Sequence, residues 1–318
     1  MKGKIKWIII GILILVVLSI ATVMIINEMQ LNYTIEEITE YNYFVLIENE
    51  KYGVIDKYGN VIIEPSYEAV QIPNPSKPIF ICVNSYQQET KEYETTVYNE
   101  KKEEILTEYQ NIQAIPIDTN IETNTYEKGV LTYKKDGKYG LITLDGKEVT
   151  KPIYDQISSI HYKEGTFLVK QDQKVGVMNM KGKMIIPIEY ETITSDNYYN
   201  ETTKNKTTGF IVSKRTEDGY RYGYINYRGS IILETKYTEL ERVTEIANEK
   251  ELYFIAFQNG QAGLLKGKKV ILNYEYEDIQ YNSLNDIFIV QRNGKQGAVT
   301  KEGNIILHPE YDSILFGG

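Results

Sequence analysis

Cysteine, histidine and tryptophan are nearly absent from this chain of 318 residues, which holds one, two and one of them. The lone Cys82 excludes an intrachain disulfide framework. Its place in the apolar run "PIFICVN" predicts a buried, inert thiol. His161 and His308 are far apart, and with no C-x-x-C or H-x-x-x-H no zinc set can be assembled. Neither G-x-S-x-G nor a P-loop occurs, so the chain offers no nucleophile elbow and no phosphate cradle. Positive charge is short as well: 35 Lys and Arg stand against 44 Asp and Glu. Lys2, Lys4 and Lys6 precede every acidic residue, so the remainder of the chain is more acidic still. Such a composition is unsuited to nucleic acid or anionic lipid. No cofactor, metal or nucleic acid is expected.

The chain opens instead with an uncharged apolar stretch, "WIIIGILILVVLSIATVMII", from Trp7 to Ile26. About 20 residues at ~1.5 Å each span roughly 30 Å, the thickness of a bilayer core. The lysines ahead of it, with Glu28, Glu36, Glu37 and Glu40 behind, predict a cytoplasmic N-terminus and an exported remainder. A cleaved signal peptide is the alternative, because Ser19-Ile20-Ala21 has small residues at the right spacing. The apolar run continues past Ala21, which favours a retained anchor. The expected organisation is a basic tail (1–6), a transmembrane helix (7–26), a linker (27–34) and a β-repeat domain (35–318), placed at the cell membrane with a single pass.

Tyrosine is abundant, 28 residues against eight phenylalanines. Its ring packs while its hydroxyl stays near water, which suits half-buried strands. Self-comparison then exposes a repeat. Segments such as "KYGVIDKYGNVIIEPSYEAV" and "KQGAVTKEGNIILHPEYDSI" recur along the chain. In five copies a glycine (Gly53, Gly140, Gly176, Gly223, Gly297) is followed six residues on by another (Gly59, Gly146, Gly182, Gly229, Gly303). Fourteen residues after the first stands a tyrosine (Tyr67, Tyr154, Tyr190, Tyr237, Tyr311). A shorter copy carries Gly263 and Tyr276, and a worn copy places Thr95, Lys101 and Tyr109 at the same spacing with both glycines lost.

Each copy reads as four short strands. An apolar run comes first, for example "YFVLI" or "LYFIAF"; a Gly, Asn or Asp turn leads to the strand bearing the first glycine. The second glycine marks a turn of positive φ. Then comes "NVII" or "NIIL", apolar at consecutive positions and so expected to be covered on both faces. A proline (Pro65, Pro152, Pro309) is expected to stop the ladder, and a Y-x-x-I strand closes the unit. "IEEI" at 35–38 has the shape of that closing strand and starts the first unit. Seven such units predict an all-β fold, a seven-bladed β-propeller, with an open curved array of the same sheets as the alternative.

The pattern resembles the WG-repeat family of bacterial β-rich repeats, with consensus near G-x-W-G-x-I-D-x-x-G-x-x-V-I-x-P-x-Y-D. The resemblance covers about Tyr41 to Ile314. The family tryptophan is replaced here by Tyr52, Tyr139, Val175, Tyr222, Ala262 and Gln296. The resemblance implies repeat architecture and interaction work rather than a reaction.

No catalytic residue is expected. His308 occupies the slot of Glu64, Lys151 and Glu234 in sister copies, a partly exposed strand end. Glu310/Asp312, Glu275/Glu277 and Glu189/Glu191 straddle repeat tyrosines, whereas a glycosidase pair must converge in one cleft. Two long polar inserts, 84–94 and 194–209, are candidate binding loops, the second with Tyr198 and Tyr199. The function expected is a membrane-anchored, extracytoplasmic module for protein–protein interaction or scaffolding. A cell-wall glycan binder is the alternative, and a hydrolase the third option.

Overall fold

The structure, a computed structural model, describes residues 19, 20, 22, 38–89, 92–117, 125–160, 165–200, 204–246 and 251–315. The expected membrane helix (apart from three helical residues at 19, 20 and 22), the linker, most of "IEEI" and His161 lie outside them. Among the described residues no helix is long and apolar enough to cross a membrane.

Among the described residues seven antiparallel sheets succeed one another in sequence order. The first pairs β1 (Tyr43–Glu48), β2 (Lys51–Asp56) and β3 (Val61–Tyr67). The second comprises β4 (Ala69–Gln71), β5 (Phe80–Gln87), β6 (Glu92–Tyr98) and β7 (Glu104–Ile105). The third has β8 (Gln110–Pro116), β9 (Tyr126–Lys135) and β10 (Lys138–Thr143). The fourth comprises β11 (Gln156–Ser159), β12 (Thr166–Gln171), β13 (Lys174–Asn179) and β14 (Met184–Tyr190). The fifth is built from β15 (Thr192–Asn200), β16 (Lys204–Thr216), β17 (Gly219–Asn226) and β18 (Ile231–Tyr237). The sixth is built from β19 (Glu239–Arg242), β20 (Tyr253–Gln258), β21 (Gln261–Lys266) and β22 (Lys269–Tyr276), and the seventh from β23 (Asp278–Asn282), β24 (Ile287–Arg292), β25 (Lys295–Thr300) and β26 (Ile305–Tyr311).

Sheets and sequence repeats are offset by one strand. The Y-x-x-I segment that ends one repeat forms the first strand of the next sheet, as β4, β11, β15, β19 and β23 do. The chain divides into two compact units, Met1–Ser159 with Glu164–Phe167 and Met178–Ile185, and Ile160–Lys163 with Leu168–Val177 and Ile186–Gly318. Each unit buries its apolar residues where one sheet lies on the next. In the first, Val54 and Ile63 pack with Phe80 and Cys82, and Ile81 and Val97 with Leu131 and Tyr133. In the second, Leu233 and Tyr237 pack with Phe254 and Ala256, and Leu272 and Tyr276 with Phe288 and Val290. Burial also pushes the Cys82 thiol up to about 12, so no thiolate forms near neutral pH.

The turn between the two central strands carries two consecutive positive φ values, as at Asn49/Glu50, Asp136/Gly137 and Asn293/Gly294. This is the type I′ hairpin that matches strand twist. The second repeat glycine sits at φ 87° in Gly59 and 84° in Gly229, as the turn reading requires. The first glycine has another reason. A Cβ on Gly53 would stand 2.3 Å from the Ile63 carbonyl oxygen and 2.8 Å from the Pro65 nitrogen. Tyr52 pairs with Tyr67 but Val54 pairs with Ile63, so the partner strand bulges across the glycine.

Four sequence expectations are corrected by this geometry. Pro65 and Pro309 lie inside β3 and β26, in bulges of edge strands that need no N–H there, and do not end the ladder. Val61, Ile231 and Ile305, at the head of the "NVII" runs, are exposed because the strand leaves its turn at the sheet edge. In the worn copy the positive φ falls on Lys102, so the second-glycine slot is Lys102 and the first is Thr96, one residue beyond the spacing expected. The two polar inserts are hairpin extensions: in the backbone Tyr198 pairs with Lys206 and Tyr199 with Asn205, and Ser85 pairs with Glu94. Their Tyr and Thr content continues the ladders of the core strands.

Candidate functional site

The tight turn around each second glycine is fixed by one side chain three residues after the first. Asp56 Oδ1 accepts the N–H groups of Tyr58 and Asn60 at 2.9 and 2.8 Å. Asn179 does the same for Lys181 and Lys183, and Asn226 for Arg228 and Ser230. In the worn copy Asn99 takes Lys101 and Glu103. These turns are rigid posts, and two crevices in the first unit lie between them.

The larger crevice has a volume of about 570 Å³. Its floor is apolar: Ile79, Ile105, Val130, Leu144 and Met180. Its rim carries Lys77, Asp145 and Lys181, so the turns of the third and fourth copies supply one wall each. The Thr143 hydroxyl donates to Asp145 and holds its carboxyl below the usual carboxylate range, helped by Lys147 and Lys77. Asp145 is therefore a fixed negative charge at neutral pH. The smaller crevice, about 340 Å³, lies between the first two turns, with Asp56, Lys57 and Tyr58 facing Glu100 and Lys101. There the Tyr43 hydroxyl donates to Glu100 Oε2 at 2.8 Å. An apolar floor with a few charges at the mouth is the chemistry of a binding pocket.

The repeat residues serve the scaffold. The residue before the first glycine, the family's tryptophan slot, faces the repeat tyrosine across the strands: Tyr52 opposite Tyr67, Tyr139 opposite Tyr154, Tyr222 opposite Tyr237, Ala262 opposite Tyr276, Gln296 opposite Tyr311. The acid after that tyrosine pairs with the lysine two residues before the glycine. Lys51 meets Glu68 at 2.6 Å, and Lys138–Asp155, Lys174–Glu191 and Lys295–Asp312 repeat the contact. Of the other carboxylates in the acidic pairs, Glu189 meets Lys214, Glu275 meets Arg292, and Glu277 accepts from the Gly294 N–H. Both carboxylates of Glu189/Glu191 and of Glu275/Glu277 are thus held in local contacts. His308 is exposed, and its backbone presses on Gly297 within the β26 bulge, with its carbonyl carbon 2.9 Å from where a Cβ would stand. Among the described residues no group of three or more His, Cys, Asp or Glu is placed to hold a metal.

Burial raises the tyrosine hydroxyls. Tyr190 is pushed up to about 12 by burial and by Glu189, and burial also raises Tyr154 and Tyr276. In the unfolded chain these phenols ionise near pH 10. With the folded pKa above the unfolded one, stability is whole below the unfolded value and is lost as pH rises from there through the folded value. Urea midpoints should thus stay level from pH 7 to about 9. Above about pH 10 they should fall, as the unfolding free energy drops by roughly 1.4 kcal/mol per pH unit for each tyrosine that ionises only on unfolding. Tyrosinate absorbance should appear together with the unfolding transition. If it appears earlier, while the sheets are intact, the tyrosines are not protected.

One cluster is invisible in the sequence. Asp196 on β15 receives hydrogen bonds from Tyr224 on β17 and Thr208 on β16, both at 2.6 Å. Arg242, at the end of β19, brings its Nε within 3.5 Å of the same oxygen, and the two side chains are 3% and 4% exposed. The guanidinium also lies over the Phe254 ring. Burial and Asp196 drive the Tyr224 phenol far above its ordinary range, so it acts as a neutral donor. The cluster ties the fifth sheet to the sixth. Asp196 lies in the stretch read as a loop, and its partners come from three other strands; no spacing rule could have joined them.

With this geometry in hand, comparison with known proteins gives one clear result. The family model for the WG containing repeat matches residues 52–73, 139–174, 176–200 and 222–245. No curated protein matches the chain. Among solved structures, the chain is similar to a eukaryotic initiation factor at 10% identity, covering 85% of this chain and 74% of that one, with a TM-score of 0.33. It is also similar to Kluyveromyces lactis Hsv2 at 8% identity, covering 83% and 92%, with a TM-score of 0.30.

Proposed function

We propose that this chain, which carries WG containing repeats in four stretches, is a non-catalytic binding module held at the outer face of a membrane by its N-terminal apolar segment. The partner is a protein, and the repeat turns form its seat. The observation that carries this reading is the crevice of about 570 Å³, with its apolar floor and charged rim between rigid turns. A partner's apolar side chain fits the floor, while the rim charges fix its orientation. The engagement of the acidic pairs in local contacts speaks against hydrolysis.

The exported placement rests on the lysines before Trp7 and the acidic residues after Ile26.

The test is a pull-down with the full chain in detergent against membrane-protein extracts and wall fragments, beside the variant Met180→Glu. That substitution puts a carboxylate on the crevice floor at a half-buried position. Wild type should retain a specific protein, and the variant should lose it at least tenfold while keeping its melting curve. Equal retention by both would remove the crevice from the reading, and turnover of wall fragments would replace binding with catalysis. A second reading, glycan binding, is favoured by the exposed Tyr86 and Tyr93 rings, 4.9 Å apart on the first insert hairpin. It requires wall-fragment retention that Tyr86→Ala abolishes.

A further inference from the structure

Asn–Gly occurs twice in the chain, at 259–260 and 293–294, and each pair forms the tip of the central hairpin, in the sixth and the seventh sheet. The backbones match: φ is 52° at both Asn259 and Asn293, and 77° and 69° at the glycines that follow. All four residues are exposed. Both hairpins lie in the second unit.

Asn followed by Gly is open to loss of the side-chain amide. The glycine's backbone nitrogen attacks Asn Cγ, the new C–N bond closes a cyclic imide, and the Cγ–Nδ2 bond breaks. Nδ2 takes up a proton and leaves as ammonia. Water then adds to either imide carbonyl and yields aspartate or isoaspartate, so one water is consumed and one ammonia released. Glycine permits the attack because no Cβ crowds the approaching nitrogen. That nitrogen must first give up its proton, so whatever holds the N–H governs the rate.

Here the two hairpins differ. Glu277 and Thr238 stand at the same place in their sheets: the Glu277 N–H donates to the Gln291 carbonyl at 2.8 Å, and the Thr238 N–H to the Phe257 carbonyl at 3.0 Å. Each acceptor lies three residues before its hairpin glycine. In the seventh sheet Glu277 Oε2 accepts the Gly294 N–H at 2.9 Å. A carboxylate so close makes an anionic nitrogen costlier, as a like charge does for any acid, and it pins the peptide plane. In the sixth sheet the shorter Thr238 turns its hydroxyl to the Phe257 carbonyl at 3.2 Å. Among the described residues that hairpin has no counterpart of the Glu277 contact.

We propose that Asn259 is a site of spontaneous deamidation in this protein, and that Asn293, the same dipeptide in the same turn, is protected by Glu277. The product alters the sheet. Aspartate adds a negative charge at the hairpin tip. Isoaspartate routes the main chain through the side chain, and the lengthened turn no longer fits the Gln258–Gln261 register of a two-residue hairpin. The sixth sheet therefore ages ahead of the seventh. This chemistry is independent of the crevice in the first unit.

The test is incubation of the full chain in detergent at mildly alkaline pH, with peptide mapping by mass spectrometry at intervals. In wild type Asn259 should convert roughly fivefold faster than Asn293, or more, the factor that one ordinary hydrogen bond supplies. In Glu277→Ala the rate at Asn293 should rise to that of Asn259, whose own rate should be unchanged. Glu277→Gln, which keeps an acceptor and drops the charge, should lie between. Wild type unfolded in urea should convert at both positions at the same rate. The proposal is overturned if native Asn259 converts no faster than Asn293, or if Glu277→Ala leaves Asn293 slow. A rise at both positions in Glu277→Ala overturns it too, since Glu277 would then act by holding the fold closed. So does a faster Asn259 in urea, which would place the difference in the neighbouring residues.

Discussion

Asp196→Ala is expected to destabilise the second unit by about 3–5 kcal/mol, the cost of removing one partner from a buried ion pair. The substitution does more than delete a contact. The Arg242 guanidinium would stay buried without its carboxylate, and Tyr224 and Thr208 would lose the oxygen to which both donate. An unpaired charge in a low-dielectric interior is among the costliest single changes a fold can suffer. Arg242→Met should cost less, because Asp196 would keep two hydroxyl donors. The double variant Asp196→Leu/Arg242→Met should recover part of the loss, since replacing a buried pair with apolar groups is often neutral. Urea unfolding curves of the four proteins measure the coupling directly. A single-variant loss under about 1 kcal/mol, the range of exposed pairs, would mean that water reaches the cluster.

The second large effect separates the two glycines of one repeat. Gly223→Ala places a Cβ 2.6 Å from the Leu233 carbonyl oxygen and 2.9 Å from the Thr235 nitrogen. Both neighbours are backbone, so relief requires the bulge of β18 to move and the Tyr222–Tyr237 register to break. A loss of about 3 kcal/mol or more is expected, at the severe end for overpacking. Gly229→Ala, six residues on, needs only a left-handed residue at φ 84° and should cost about 1–2 kcal/mol. Denaturant midpoints of the two variants decide the matter. Equal losses would mean that the bulge yields and that only conformation constrains the first glycine.

That contrast shows where sequence reasoning stops. Gly59 and Gly229 are legible as turn glycines because turn chemistry is local: polar residues flank them and apolar runs lie on either side. The reason for Gly53 and Gly223 is a bulge in another strand, some ten residues later, and nothing near the glycine announces it. Pro65 misleads for the same cause, since a proline that ends a ladder and one that sits in a bulge look alike until strands are paired. The worn copy is detectable by its spacing yet displaced by one residue, because with both glycines gone only Lys102's backbone conformation marks the turn.

Sequence alone determined that the chain is all-β and that it is built of repeats with a Gly–Gly–Tyr spacing. It could do so because period, turn composition and the Gly–Gly–Tyr spacing are local properties repeated often enough to stand out. Tertiary structure alone decided that Tyr198 and Tyr199 lie on a hairpin and that Asp196 meets Arg242. Those facts depend on which strands lie side by side, and proximity between distant segments is fixed by packing, which no short window of sequence records.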